Sequence, residues 1–360
     1  MSREFTPCLE IYPSRVADNA RSILNLCHSK GIQVACVGKV VCAHPEVMRT
    51  LEECGTDMLA DSRLENLAAI RQAGINLPLM LLRIPTPSRV DEVVNLADIS
   101  LVSDTGTVGL LSKAAEIAGR KHKVILMIDL GDLREGIWPD RLIESLRTVI
   151  DLPAIEVSGL GTNLACYGGV IPDTQKMQQL INLRDEAERI FGIKLPVLCG
   201  GNSANLPLLL AGGIPSQINL LRIGETILLG RNVLDRTEFP GTRQDAFCLV
   251  AEIIELERKP SIPIGQRGQD AFGGVPEFVD HGVRQRAICN IGRQDVVIDN
   301  LTPEDPGIII LGGSSDHLIL DVENARQPLK TGDEVRFFPG YGALLAASTS
   351  PYVKKVVIKS

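Results

Sequence analysis

The chain has 360 residues, 44% hydrophobic and 22% charged, with a formal net charge of −7. That length points to two domains, and that balance to a soluble protein with a substantial core. The negative charge excludes broad neutralisation of a phosphate backbone, so no nucleic-acid partner is expected.

From Pro13 to about Arg231 one pattern repeats: a short β-branched run, a loop, then an amphipathic helix. The opening helix is expected to start at a Ser14 cap and end at Gly31. Strands follow at Val34–Val41, Asp57–Ala60, Leu79–Ile84, Ile99–Val102, Val124–Leu130, Ile155–Thr162, Pro196–Cys199 and Ile218–Ile223. Helices lie between them, for example over Thr105–Ala118 and Thr174–Phe191. Eight βα units joined by short loops favour a closed parallel (β/α)8 barrel of the TIM type, within the α/β class. An open doubly wound sheet is the alternative, and no Gly-x-Gly-x-x-Gly follows the first strand to support it.

After Phe239 the helical period disappears. Strand-like runs at Phe247–Leu256, Gln285–Ile291, Gly307–Leu311 and Leu318–Val322 predict a C-terminal all-β domain. Pro260–Gly282, rich in Gly and Pro, reads as a long functional loop. The expected domains are therefore 13–237 and 238–360, the second joined by a strand at 6–12.

No apolar run is long enough to span a membrane, and Met1–Glu10 lacks a basic-then-apolar signal pattern. Nine cysteines, an odd count without a Cys-x-x-Cys pair, disfavour a disulfide framework and a zinc site. Reduced thiols in a cytoplasmic protein, with no membrane partner and no metal, are expected.

A barrel of this kind places its active site at the C-terminal ends of its strands. The first strand stays apolar until Lys39. A lysine desolvated there becomes a nucleophilic amine suited to a Schiff base; a solvated strand-end lysine is the plainer alternative. Strands seven and eight end in Cys199-Gly-Gly-Asn-Ser203 and Leu221-Arg-Ile-Gly-Glu-Thr226. Small residues there let backbone N–H groups approach an anion, and Ser203 and Thr226 add hydroxyls. Arg222, on the last strand, needs an acceptor, either a cofactor ring nitrogen or a core carboxylate. Strand five runs into Asp129–Gly136, with Arg134, and strand six ends at Thr162-Asn163. A Schiff-base lysine, a phosphate cradle and an arginine near a ring nitrogen together describe a pyridoxal 5′-phosphate (PLP) pocket.

These residues carry a family resemblance over nearly the whole chain. Its most specific segments are Val37–His44, Ala60–Arg63, Leu81–Pro85, Ile128–Gly136, Asn163–Gly168, Gly200–Ser203, Leu221–Glu225 and Gly313–Leu318. The chain resembles the alanine racemase-like, fold type III PLP enzymes, and among them most closely the ornithine racemases. The resemblance implies that Lys39 carries the cofactor and acts as one of two catalytic bases. It puts Arg134 near the phenolic oxygen, Asn163 where alanine racemases have a histidine close to the ring, and Arg222 opposite the pyridine nitrogen. It matches Ser203, Gly224 and Glu225 to the phosphate-binding positions; Asn202, Thr226 and His44 are counted with them as cofactor-binding candidates. Ser315 and Asp316 match a pair that reaches the partner subunit's substrate in a head-to-tail homodimer.

One departure matters. Where alanine racemases have a Gly-Tyr-Ala-Asp segment bearing the second base, this chain has Gly292-Arg-Gln-Asp295, without a tyrosine. Asp316, His317, Asp270, Asp295 and Cys166 are the alternatives, with Asp316 and His317 taken as the catalytic candidates. The substrate is expected to be an amino acid, ornithine or another basic one, its distal ammonium meeting Asp270, Asp316 or Glu225. Arg83 is the candidate for a substrate carboxylate. The expected activity is racemisation by two-base proton transfer at Cα. The rivals are a D-amino-acid aldolase or dehydratase of the same fold, a non-catalytic PLP carrier, and a Schiff-base aldolase without PLP.

Overall fold

The computed structural model describes residues 6–359. The first elements are β1 (Cys8–Ile11), α1 (Pro13–His28), β2 (Gln33–Val37), α2 (Pro45–Glu53), β3 (Met58–Asp61), α3 (Leu64–Gln72) and β4 (Leu79–Leu81). Next come α4 (Val90–Leu96), β5 (Ile99–Val102), α5 (Thr105–Ile117), β6 (His122–Ile128), α6 (Leu142–Val149), β7 (Ile155–Thr162) and α7 (Thr174–Phe191). The alternation closes with β8 (Val197–Gly201), α8 (Leu206–Leu210), β9 (Leu220–Ile223) and α9 (Glu225–Leu229). The remainder is β10 (Phe247–Pro260), β11 (Val283–Cys289), β12 (Leu301–Pro303), β13 (Ile309–Gly313), β14 (Leu318–Asp321), β15 (Glu334–Pro339), α10 (Tyr341–Thr349) and β16 (Lys354–Val357).

Two compact units emerge, one of residues 14–243 and one of 6–13 with 244–359. In the first, β2 to β9 form a closed barrel with every neighbouring pair parallel. Its interior is filled by Ala35, Ala60, Met80, Ile125, Met127 and Cys199, all buried. Those side chains make the barrel a packed core rather than a pore, which pushes chemistry to its rim. The surrounding helices bury one stripe each: α1 turns Val16, Ala20, Ile23, Leu24 and Cys27 inward, the spacing of a 3.6-residue period. It begins at Pro13, so Ser14 lies inside the helix rather than capping it. Proline at the first helical position is already set to helical φ and lacks an N–H that would go unpaired.

The barrel unit keeps its tail up to Arg243, beyond the 237 read from the sequence. Asn19 on α1 explains this: its Nδ2 donates to the Arg243 carbonyl at 2.9 Å and its Oδ1 accepts the Arg243 N–H at 2.6 Å. The Phe239 N–H and Thr242 hydroxyl both return to the Gly230 carbonyl.

The second unit is an eight-stranded sheet with core order β12-β15-β10-β11-β14-β13. β1 pairs antiparallel with β10 and parallel with β16. One helix, α10, accompanies it. Glu10 is fully buried, and Arg336 offsets its charge, with an Arg336–Glu10 distance of 2.6 Å. Residues 261–282 are an exposed, irregular loop.

Candidate active site

The first barrel strand stops at Val37, not at Val41 as its apolar run predicts. Lys39–Val41 instead form a 3₁₀ turn, followed by Cys42 and Ala43 at φ 49° and 50°. Left-handed backbone at two consecutive non-glycine residues costs roughly 1–2 kcal/mol each, and such strain gathers at functional positions. The Ala43 N–H returns to the Gly38 carbonyl at 3.1 Å, closing the turn. Lys39 is therefore carried on a short rigid loop at the C-terminal rim, half-buried. His44 follows as the half-buried residue that precedes Pro45 and α2.

Across the rim, Arg222 is buried, 4% exposed, and fully engaged. It donates to the Thr162 carbonyl at 3.0 Å, to Asn163 Oδ1 at 3.1 Å and to Cys199 Sγ at 2.7 Å. Among the described residues no carboxylate pairs with it and its acceptors are neutral, so its charge is uncompensated within this network. Asn202 joins the same cluster, donating to Asn163 Oδ1 and to the Leu164 carbonyl. Asn163 Nδ2, though buried, has no partner among the described residues. An orphaned buried donor beside an uncompensated guanidinium is what a polar ring or an anion would satisfy.

The phosphate-type turns lie next to this cluster. Ser203 opens a 3₁₀ turn after β8, and Glu225 opens α9 after β9. The Thr226 N–H points to Ser203 Oγ at 3.5 Å, which ties the two turns together. Gly224 permits the approach: a Cβ on it would stand 2.9 Å from Val37 Cβ and 3.0 Å from the Val37 carbonyl. The turn thus packs on the strand that leads to Lys39. Thr226 spends its hydroxyl proton on the Arg231 carbonyl at 2.8 Å. Glu225 pairs through its side chain with Arg236, and burial pushes its carboxyl up despite the Arg236 and Lys39 charges. Its backbone N–H, at the start of a helix, is what it offers an anion. The donor set therefore fits a phosphorylated pyridine.

Two further loops are stapled by a residue whose role the sequence reading missed. Asp132 is fully buried and accepts from the N–H groups of Tyr167 at 2.9 Å and Val170 at 3.1 Å. This holds the 129–136 loop to the 163–170 loop, where Arg134 reaches Cys166 Sγ at 2.7 Å and Glu135 beside it. Arg83, after β4, is exposed; it lines a separate depression with Ser62, Arg63 and Pro85.

Within the second unit, the substrate-side candidates converge. The N–H groups of Arg293 and Gln294 donate to the carbonyls of Ser314 (2.9 Å) and Ser315 (3.1 Å). The tyrosine-less segment and the Ser315-Asp316-His317 turn are therefore direct neighbours. Asp316 is exposed and accepts from the Ser315 hydroxyl at 3.2 Å. His317 Nδ1 lies 3.4 Å from Ser314 Oγ. Arg293 also stacks over the Phe272 ring at 5.3 Å, bringing the Asp270 loop alongside. Asp270 accepts the Phe272 and Gly274 N–H groups, which hold its carboxyl below the usual range, with Arg293 adding to the effect. Asp295 is instead buried and bound to the Ser350 hydroxyl at 2.6 Å.

A closed parallel eight-stranded barrel with an added β unit defines a class, the alanine racemase-like fold. The family model for the alanine racemase N-terminal domain matches residues 11–232. An ornithine racemase of Acetoanaerobium sticklandii is 42% identical, over 98% of this chain and 99% of that protein. A lysine racemase of Thermotoga maritima is 39% identical, over 97% and 98%. The solved alanine racemase of Bacillus anthracis superposes with a TM-score of 0.75 at 17% identity, covering 100% of this chain and 97% of that one. The chain belongs to the alanine racemase family, whose members depend on PLP. It is an amino-acid racemase.

Proposed function

We propose that the chain is a PLP-dependent racemase of basic amino acids, ornithine foremost, working by two-base proton transfer at Cα. The observation that carries this reading is Arg222: a buried guanidinium whose acceptors among the described residues are all neutral, on the strand that leads into the Gly224 turn. Lys39 would hold the cofactor's aldehyde carbon. Ser203, the N–H groups of the 203 and 225 turns, Asn202, Gly224 and Thr226 would hold its phosphate. Asn163 and Arg134 would flank its ring, with His44 beside the Lys39 turn. When bound, PLP draws electron density from the substrate's Cα–H bond.

Each residue then has a task. Arg222 would present a cation to the ring nitrogen and so keep it unprotonated, which would limit the electron sink and favour reprotonation at Cα over aminotransfer. Lys39 Nζ takes or returns a proton on one face of Cα. In the head-to-tail dimer Asp316 or His317 of the partner subunit, on the turn beside Gly292, would serve the other face in place of the absent tyrosine. Asp270 or Asp316 would supply the negative charge that a distal ammonium needs, while Arg83 or Ser315 would meet the carboxylate. Two relatives, an ornithine racemase and a lysine racemase, support the basic substrate.

The assembly is a head-to-tail homodimer in the cytoplasm, its nine free thiols kept reduced. The test is incubation of L- and D-ornithine separately in deuterated water. Each enantiomer should yield the other with deuterium at Cα and no loss of amine. Release of glycine, pyruvate or ammonia, or unchanged enantiomers across a panel of basic amino acids, overturns the reading.

A further inference from the structure

Glu225 follows Gly224 in the turn after β9, and its side chain is only 15% exposed. A carboxylate so placed sets a negative charge, little screened by water, on the very residue whose backbone N–H is offered to an anion. Arg236 meets that charge: its guanidinium pairs with Glu225 Oε1. Burial pushes the Glu225 carboxyl up, and Arg236, Lys39 and Arg231 pull it back toward the ionised form.

Arg236 is delivered by a short hairpin. After α9 the chain folds back, with Arg231 bridged antiparallel to Glu238 and the Asn232 N–H donating to the Thr237 carbonyl at 2.9 Å. The Arg236 N–H returns to the Asn232 carbonyl at 2.9 Å, and Asp235 Oδ1 accepts the Thr237 N–H at 3.0 Å and its hydroxyl at 2.6 Å. Thr226 ties the base of the hairpin to α9 through the Arg231 carbonyl at 2.8 Å. Arg236 itself has φ 65°, left-handed backbone that is unfavourable for a residue with a Cβ and that gathers at functional positions. Glycine or asparagine would make a plain turn there more easily, so the position is used for the arginine side chain.

We propose that Arg236 is a positioning residue for cofactor binding: paired with Glu225, it cancels a negative charge that would otherwise repel the phosphate group from the 224–226 turn. The inference deepens the reading of the Ser203 and Gly224 turns as the phosphate cradle and rests on it. It also withdraws Glu225 from the candidates for the substrate's distal ammonium, because its carboxylate already has a cation. The Arg236 side chain is 59% exposed, and an ion pair so open to water adds little to folding stability. Of the other two cations, Lys39 is the reactive amine of the same reading. Arg231, at the base of the hairpin, forms no ion pair among the described residues. Arg236 is thus the group that holds the Glu225 charge.

The test is cofactor affinity, read by visible absorbance in the full chain freed of PLP and titrated with PLP or with pyridoxal, which lacks the phosphate. Arg236→Gln should raise the Kd for PLP about tenfold or more and leave the Kd for pyridoxal in place. Arg236→Asn, better suited to left-handed backbone, is a second neutral variant in case the first does not fold. Arg236→Lys should keep an affinity close to that of the unaltered chain. Glu225→Gln added to Arg236→Gln removes the repulsion as well as the cation, and should return the Kd for PLP to within about twofold of the unaltered value. An unchanged Kd for PLP in the neutral variants, an equal loss for PLP and pyridoxal, or a double variant as weak as Arg236→Gln alone overturns the proposal. Absence of PLP uptake by the unaltered chain would overturn the cradle reading and this inference with it, whereas uptake indifferent to Arg236 overturns this inference alone.

Discussion

Gly292 and Ser315 lie in such close contact that a Cβ on the glycine would stand 2.2 Å from the Ser315 carbonyl oxygen. No side chain fits there, so the 292–295 turn and the turn bearing Asp316 and His317 are locked together through backbone contacts. Gly292→Ala must push the second turn away, at a cost of about 1–3 kcal/mol. Its expected signature is a fall in kcat with retained PLP absorbance, measured by racemisation and by visible spectra. Unaltered kcat would separate this turn from the chemistry.

Arg222 satisfies two buried oxygens and a thiol at once. Arg222→Ala leaves the Thr162 carbonyl and Asn163 Oδ1 with fewer donors, which costs about 1–3 kcal/mol per abandoned buried group. Urea unfolding should show that loss, and racemisation should fall further than stability alone accounts for. Arg222→Lys, with a point charge in place of a planar fork, should recover part of the stability but little of the rate.

Asp132→Ala removes the acceptor of the Tyr167 and Val170 N–H groups. The 163–170 loop should open, exposing the chain near Tyr167 and Gly168 to limited proteolysis at a rate well above that of the parent.

Asp61 gives a pH-dependent stability with a definite sign. Burial raises its folded-state pKa from 3.8 to about 6. The protonated form is favoured in the fold, so its contribution is fully present below about 3.8 and is lost as pH rises through about 6. Asp61→Asn removes this term. The variant should therefore gain stability relative to the parent by up to about 1.4 kcal/mol per pH unit across that window, and hold the gain at neutral pH. Urea midpoints at several pH values check it; a gap that closes with rising pH contradicts the assignment.

The alternation of strands and helices was legible because fully buried parallel strands are short apolar runs and their helices keep a 3.6-residue stripe, as α1 does. The glycine-rich ends of β8 and β9 were legible for a local reason, since Gly224 must lie against Val37. The end of β2 was not, because its apolar run continues through Val40 and Val41 and the turn is made by Cys42 and Ala43, residues that seldom adopt positive φ. Helix α10 was missed: its residues, YGALLAAST, are small and lack a polar face, so no period marks them. Asp61 and Asp132 were quoted within longer segments yet given no task. A strand-end or loop aspartate reads as a solvated group until the fold buries it. The clustering of Asp270, Arg293 and Asp316 depends on pairings between distant stretches that a single chain does not announce.

The account turns on which amine carries the cofactor. Reduction of the PLP-loaded chain with borohydride, digestion and peptide mass spectrometry identify it directly. The phosphopyridoxyl group should be found on Lys39, with the visible absorbance of the bound cofactor absent in Lys39→Ala. Its appearance on another lysine, or an unchanged spectrum in that variant, would contradict the site and the racemase reading built on it.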